Sequence, residues 1–120
     1  MSQLKILICG SRDWEDEDAI AERMDLVPYV IPFFPIVIHG AARGADEIAG
    51  RLARERGWLV QEFPADWDRY KKSAGFKRNI QMLEQNPHVV WAFQKNKSRG
   101  TQHTIDEARK RDIKVEVFSA

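Results

Sequence analysis

The stretch Leu4-Lys5-Ile6-Leu7-Ile8-Cys9-Gly10-Ser11-Arg12 decides the fold. An apolar run ends in a small-residue turn, and Ile6-Leu7-Ile8 has no polar break, as a parallel strand covered on both faces requires. The same signature returns in Ile36-Val37-Ile38 and Val89-Val90-Trp91. Strands are predicted over 4–9, 36–39, 58–63, 88–93 and 114–118. Amphipathic helices are predicted between them. The clearest covers 45–56, where Ala45, Ile48, Ala49, Leu52 and Ala53 share one face, and Gly57 follows as its terminator. A helix over 15–27 carries Ile20, Met24 and Val27 on one face, with acids at 15–18 suiting its positive end. Two more are predicted over 76–85, closed by Asn86-Pro87, and over 101–111.

Five strands alternating with four helices imply an α/β protein with a parallel sheet and helices on both faces. Lys114-Val115-Glu116-Val117 alternates and Val60-Gln61-Glu62-Phe63 is half polar, which suits edge strands. The predicted order is therefore 3-2-1-4-5, a Rossmann-like doubly wound three-layer sandwich whose connections reverse between strands 1 and 4.

The chain has 120 residues, 43% of them hydrophobic, so one domain over 1–120 with a single core is expected and disorder is excluded. Nineteen basic against 18 acidic residues give a net charge of +1, which argues against a globally basic nucleic-acid binder. The single cysteine, Cys9, forms no internal disulfide and fits no zinc spacing, so no metal and a reducing, cytoplasmic setting are expected. The run 4–10 is too short for a secretory signal, and 26–38 is interrupted by Pro28, Pro32 and Pro35, so a soluble protein without membrane partners is expected. The apolar segment 29–35 either closes the bottom of the sheet or forms a dimer contact.

Ligands of open parallel sheets bind beyond the strand carboxyl ends, where the order reverses. That crevice is walled by the turns 10–14 and 94–101 and flanked by 40–44. In the first turn Gly10 and Ser11 allow close ligand approach and Arg12 can fork onto a phosphate, unless this is a plain tight turn. In Gly40-Ala41-Ala42-Arg43-Gly44-Ala45-Asp46 the small residues serve ligand approach or helix packing. Asp46 there caps the helix, binds a sugar hydroxyl or orients Arg43. Ser98-Arg99-Gly100-Thr101 opens the last helix as a phosphate cradle, or with Thr101 as an ordinary N-cap. From Arg69 to Arg99 there are eight bases and one acid, Glu84, beside the crevice, which favours an anionic ligand. Trp14, Trp67 and Tyr70 lie near the same rim as stacking candidates, whereas Trp58 and Trp91 read as core. His39 reads as structural and Cys9 as a buried small hydrophobe.

Five segments in order, 9–12, 39–46, 63–67, 74–79 and 98–104, resemble the SLOG superfamily, which joins the Lonely-guy (LOG) phosphoribohydrolases to the Smf/DprA proteins. The closest likeness is to its small single-domain YspA-like branch. The resemblance implies a nucleotide or nucleotide-derived ligand, with NAD- or ADP-ribose-like signals among the candidates. It implies a ligand site drawn from Gly10, Ser11, Arg12, Gly40, Arg43, Gly44, Asp46, Asp66, Trp67, Arg78, Asn79, Ser98, Arg99, Gly100 and Thr101, with no cofactor.

Arg78 and Asn79, followed by Met82, stand where LOG enzymes carry an arginine-lysine pair and a methionine, so Arg78 inherits a phosphate or ribose role. Gly100 and Thr101 match the LOG glycine-rich loop, but Ser98 replaces its first glycine and Thr104 its hydrolytic glutamate. A threonine cannot supply that acid–base function at neutral pH. A binding module, acting as sensor or sequestering protein and expected to be a dimer, is therefore the leading reading. LOG-like cleavage of an N-glycosidic bond is the alternative, with Asp46 and Asp66 as candidates for a different reaction. DprA-like binding of single-stranded DNA is a third reading, opposed by the even charge.

Overall fold

The computed structural model describes residues 3–28 and 34–120. In chain order it contains β1 (Lys5–Gly10), α1 (Glu17–Asp25), β2 (Ile36–His39), α2 (Ala45–Glu55), β3 (Leu59–Glu62), α3 (Trp67–Tyr70) continued by a 3-10 turn (Lys71–Ser73), α4 (Ala74–Leu83), β4 (Val89–Gln94), α5 (Arg99–Lys110) and β5 (Lys114–Ser119). All strand pairs are parallel and the sheet order is β3-β2-β1-β4-β5, as the apolar pattern predicts. The register pairs Ile6 with Val37 and Val89, which aligns the three continuously apolar strands at the centre.

Side chains alternate across the sheet, so each central strand feeds two cores. Ile6, Ile8, Val37, Trp91 and Phe93 pack with Ile20 and Met24 of α1 and Ala49 and Leu52 of α2. Leu7, Cys9, Ile38, Val90 and Ala92 pack with Met82 and Leu83 of α4 and Ile105 and Ala108 of α5. Trp58 and Trp91 are buried, as expected.

Helix ends follow local chemistry. Asp16 accepts the Ala19 amide at 3.1 Å, so α1 begins at Glu17, after the predicted start. Gly57, at φ +75°, ends α2 as the sequence predicts. The Gly57 and Trp58 amides donate back to Arg54 and Ala53, the two bonds of a Schellman turn. The predicted N-cap at Thr101 is corrected: Ser98 caps α5, its Oγ accepting the Thr101 amide at 3.5 Å and hydroxyl at 3.2 Å. Helix α3 was not predicted. Its four residues are too few to show a period, and it begins because Asp66 accepts the Arg69 amide at 3.1 Å. Of the segment 29–35, residues 29–33 lie outside the described residues. Among the described residues no helix is long and apolar enough to cross a membrane.

Candidate functional site

The β1–α1 turn is built by close backbone approach. A Cβ on Gly10 would lie 2.4 Å from the Phe93 carbonyl oxygen and 2.5 Å from the Ala45 Cβ, so only glycine fits. Ser11 is buried and fully engaged. Its amide donates to the Phe93 carbonyl at 3.0 Å, and its hydroxyl donates to the Lys95 carbonyl at 2.9 Å and accepts the Lys95 amide at 2.7 Å. The expectation that the Ser11 amide receives a ligand phosphate is therefore corrected, because that donor already closes the turn onto β4. Arg12 is exposed, its guanidinium 5.9 Å from the centre of the Trp67 ring. Trp14 is not at the rim. Its ring is buried edge-on to Phe93, 5.4 Å between centres, and Nε1 donates to the Asp16 carbonyl.

The β2–α2 loop is held from within by Asp46. One carboxylate oxygen, Oδ2, accepts the Gly40 and Ala42 amides at 3.1 and 3.3 Å. Of the roles open in the sequence, Asp46 therefore neither caps α2 nor orients Arg43. Oδ1 is buried and has no hydrogen-bond partner among the described residues. Burial raises the Asp46 carboxyl to about 6, against the opposing pull of the loop amides, Arg78 and Arg12.

Gly44 adopts φ +82°, and a Cβ there would meet the Ser11 carbonyl oxygen at 2.4 Å, so it joins two turns rather than facing a ligand. Ala41 also takes a left-handed conformation, at φ +58°. His39 is structural, as expected: its Nδ1 accepts the Ala41 amide at 2.9 Å, and burial lowers its basicity. Burial pushes the Cys9 thiol up, which keeps it protonated.

From α4, the Arg78 guanidinium lies directly over Gly40, where a Cβ would be 2.4 Å from Nη1. Nη1 donates to the Gly40 carbonyl and Nε to Asn79 Oδ1. Asn79 is buried, and its Nδ2 donates to the Gly100 carbonyl at 3.2 Å. This pair thus braces the β2–α2 loop and the start of α5. Thr104 is buried one turn into α5, with its hydroxyl donating to the same Gly100 carbonyl at 3.3 Å. Before α5, Asn96 and Lys97 are successive left-handed residues at φ +56° and +47°.

These elements enclose a cleft of about 490 Å³ at the carboxyl ends of β1, β2 and β4. Gly10, Ser11, Arg12, Arg43, Asp46, Arg78, Asn79, Ser98, Gly100 and Thr101 all line it, and so does Thr104. Gly40 and Trp67 line an adjoining depression of about 400 Å³. Asp66 is set apart, capping α3 and lining a third hollow with Tyr70 and Lys77. Gly44 and Arg99 line none of these. Asp13, Ala42, Lys95 and Asn96 line the cleft too, each within a turn that the sequence marks as wall or flank, whereas Cys9 of β1 and Met82 of α4 line it from positions whose burial reads as core. Among the described residues no group of three or more His, Cys, Asp or Glu side chains could hold a metal ion.

Strand order and cleft together define a Rossmann-like α/β protein with its candidate site at the topological switch point. A family model described as YAcAr, the YspA, cpYpsA-related SLOG family, matches residues 4–70. The chain belongs to that family. It is 41% identical to the gene 61 protein of Mycobacterium phage D29, over 92% of this chain and 93% of that protein. Among solved structures, DNA processing protein A (DprA) from Streptococcus pneumoniae superposes with a TM-score of 0.66 at 17% identity. The superposition covers 98% of this chain and 50% of DprA, so the chain spans about half of DprA's length, and what they share is the fold.

Proposed function

We propose that this protein binds a nucleotide or nucleotide-derived small molecule in the cleft, as a sensor or sequestering module rather than as a hydrolase. The carrying observation is that Arg12 and Arg43, which make no hydrogen bond or ion pair among the described residues, border one cleft with the N-terminus of α5 and the unpartnered Asp46 oxygen. Two guanidiniums and a helix N-terminus attract a phosphate, while a carboxylate oxygen accepts from a hydroxyl or amine. Thr104 supports the binding reading, since the side chain at the position of the LOG glutamate faces the cleft but cannot exchange a proton usefully.

Overnight incubation with a nucleotide panel, followed by chromatography, separates binder from hydrolase. The expected outcome is retained binding with no free base released. Loss of an acid–base group costs about 10²–10⁴ in rate, so multiple turnovers would refute this reading and direct attention to Asp46. Asp66 is the weaker alternative, being engaged as a helix cap. The DprA-like fold also favours a test of single-stranded DNA. Binding through Lys71, Lys72 and Lys77 would weaken steeply with salt.

A further inference from the structure

The two helical layers dress their outer surfaces differently. On the α1–α2 side the guanidiniums are met within the chain, Arg51 by Glu17 and Glu55, Arg54 by Glu62 and Arg56 by Asp25. On α4, Lys77 and Glu84 are exposed and make no ion pair among the described residues, although the Lys77 ammonium lies 4.9 Å from the centre of the Tyr70 ring. Phe76, 41% exposed, and the half-buried Ile80 stand on the same face. At about 100° per residue, Phe76, Ile80, Glu84 and Lys77 fall within an arc of about 100°.

Along its length this face runs from basic through apolar to acidic, with Lys77 and Glu84 about 10.5 Å apart at 1.5 Å per residue. A second α4 laid antiparallel inverts that order. A twofold axis beside Ile80 and Gln81 sets Lys77 against the partner's Glu84 at two equivalent places and brings the two Ile80 side chains together.

Shape agrees with charge. Phe76 lies on the α5 flank of α4, stacked on His103 with ring centres 4.1 Å apart and planes at 11°. On that same flank a hollow of about 480 Å³ opens at the C-terminal end of α4, lined by Leu83, Glu84, Asn86, Pro87, Arg111 and Ile113. The axis that pairs Lys77 with the partner's Glu84 reverses the helix but keeps the flank. It therefore brings Phe76 of each copy level with Gln85 of the other, at the mouth of this hollow.

We propose that the outward face of α4 is a self-complementary interface, through which two copies of this chain pair antiparallel with Phe76 of each seated in the other's hollow. The cleft stays open in such a pair, because its α4 lining residue Arg78 lies about 200° around the helix from Ile80. The proposal is independent of the nucleotide-binding reading.

Sedimentation equilibrium of wild type, Phe76→Ala, Lys77→Glu, Glu84→Lys and the double variant Lys77→Glu/Glu84→Lys tests it. Wild type should be dimeric at about 100 μM, above the dissociation constant of a micromolar complex. Each substitution enters a twofold contact twice. Lys77→Glu and Glu84→Lys should each raise the dissociation constant at least about tenfold, since like charges then face each other. The double variant should return it to within about threefold of wild type, because both pairs are rebuilt with their signs exchanged. Phe76→Ala should raise it at least about tenfold, as loss of a central aromatic anchor does. All three positions are exposed, so circular dichroism spectra of the variants should match wild type. A monomeric wild type, or a dimer that none of the single substitutions weakens, would overturn the proposal. Weakening by both charge reversals without recovery in the double variant would overturn the antiparallel pairing.

Discussion

The β1–α1 turn and the β4–α5 turn face each other across the cleft and treat their polar groups in opposite ways. In the first, Ser11 directs its amide, carbonyl and hydroxyl to neighbouring backbone, and Gly10 and Gly44 let three chain segments touch. In the second, Asn96 and Lys97 stand exposed in left-handed backbone ahead of a helix N-terminus. The motif residues around Ser11 are therefore scaffold. Among the described residues the guanidiniums of Arg12 and Arg43 make no hydrogen bond or ion pair, and they border the same cleft as the start of α5. Arg78 and Asn79 share in the scaffold, since both donate to loop carbonyls, while Arg78 also lines the cleft and makes no hydrogen bond through Nη2 among the described residues.

The strongest way to break this division is to disturb the scaffold. Gly44→Val places a branched side chain at φ +82° against the Ser11 carbonyl. It should cost about 4 kcal/mol or more, in the range of severe backbone strain and overpacking. Denaturant titration measures it, and a loss under about 1 kcal/mol would show that the turns do not need their close contact.

A second test uses pH. Asp46 titrates near 6 when folded and near 3.8 when exposed, so between those values the folded chain holds the extra proton. Stability from this group therefore falls as pH rises from about 4 to about 6 and is level above. Asp46→Asn keeps an acceptor for the loop amides and removes the titration. Relative to that variant, wild type should lose about 2–3 kcal/mol across the window, from about 1.4 kcal/mol per pKa unit. Parallel stability curves for the two proteins would place the Asp46 carboxylate in a more solvated setting.

A third test concerns Arg78, to which the family resemblance gives a phosphate or ribose role. It is half-buried and holds the Gly40 carbonyl. Arg78→Ala should lower stability by about 1.5–3 kcal/mol, the range for a charged hydrogen bond, and the thermal midpoint should fall accordingly. By contrast, Arg12→Ala and Arg43→Ala should each change stability by no more than about 0.5 kcal/mol, as exposed positions do.

The sequence made the sheet legible because burial on both faces writes itself as unbroken apolar runs, and edge strands as mixed ones. Strand order followed from that contrast alone. The cleft was legible in outline, since the switch point depends only on order and most named turn residues do line it. What escaped was which polar atoms were already engaged. Ser11, Asn79 and Arg78 read as donors to a ligand because their partners, the carbonyls of Lys95, Gly100 and Gly40, are distant in sequence and carry no side-chain signature. Trp14 escaped for a similar reason: its turn folds back at the Ser11 carbonyl and tucks the ring under Phe93.

The most direct test of the central claim is a calorimetric titration of ADP-ribose into wild type and an Arg12→Ala/Arg43→Ala double variant of matched thermal midpoint. Each lost charged hydrogen bond should cost about 1.5–3 kcal/mol, so the double variant should bind at least about 100-fold more weakly. Unchanged affinity in the double variant would contradict the assignment of the ligand to the unengaged arginines.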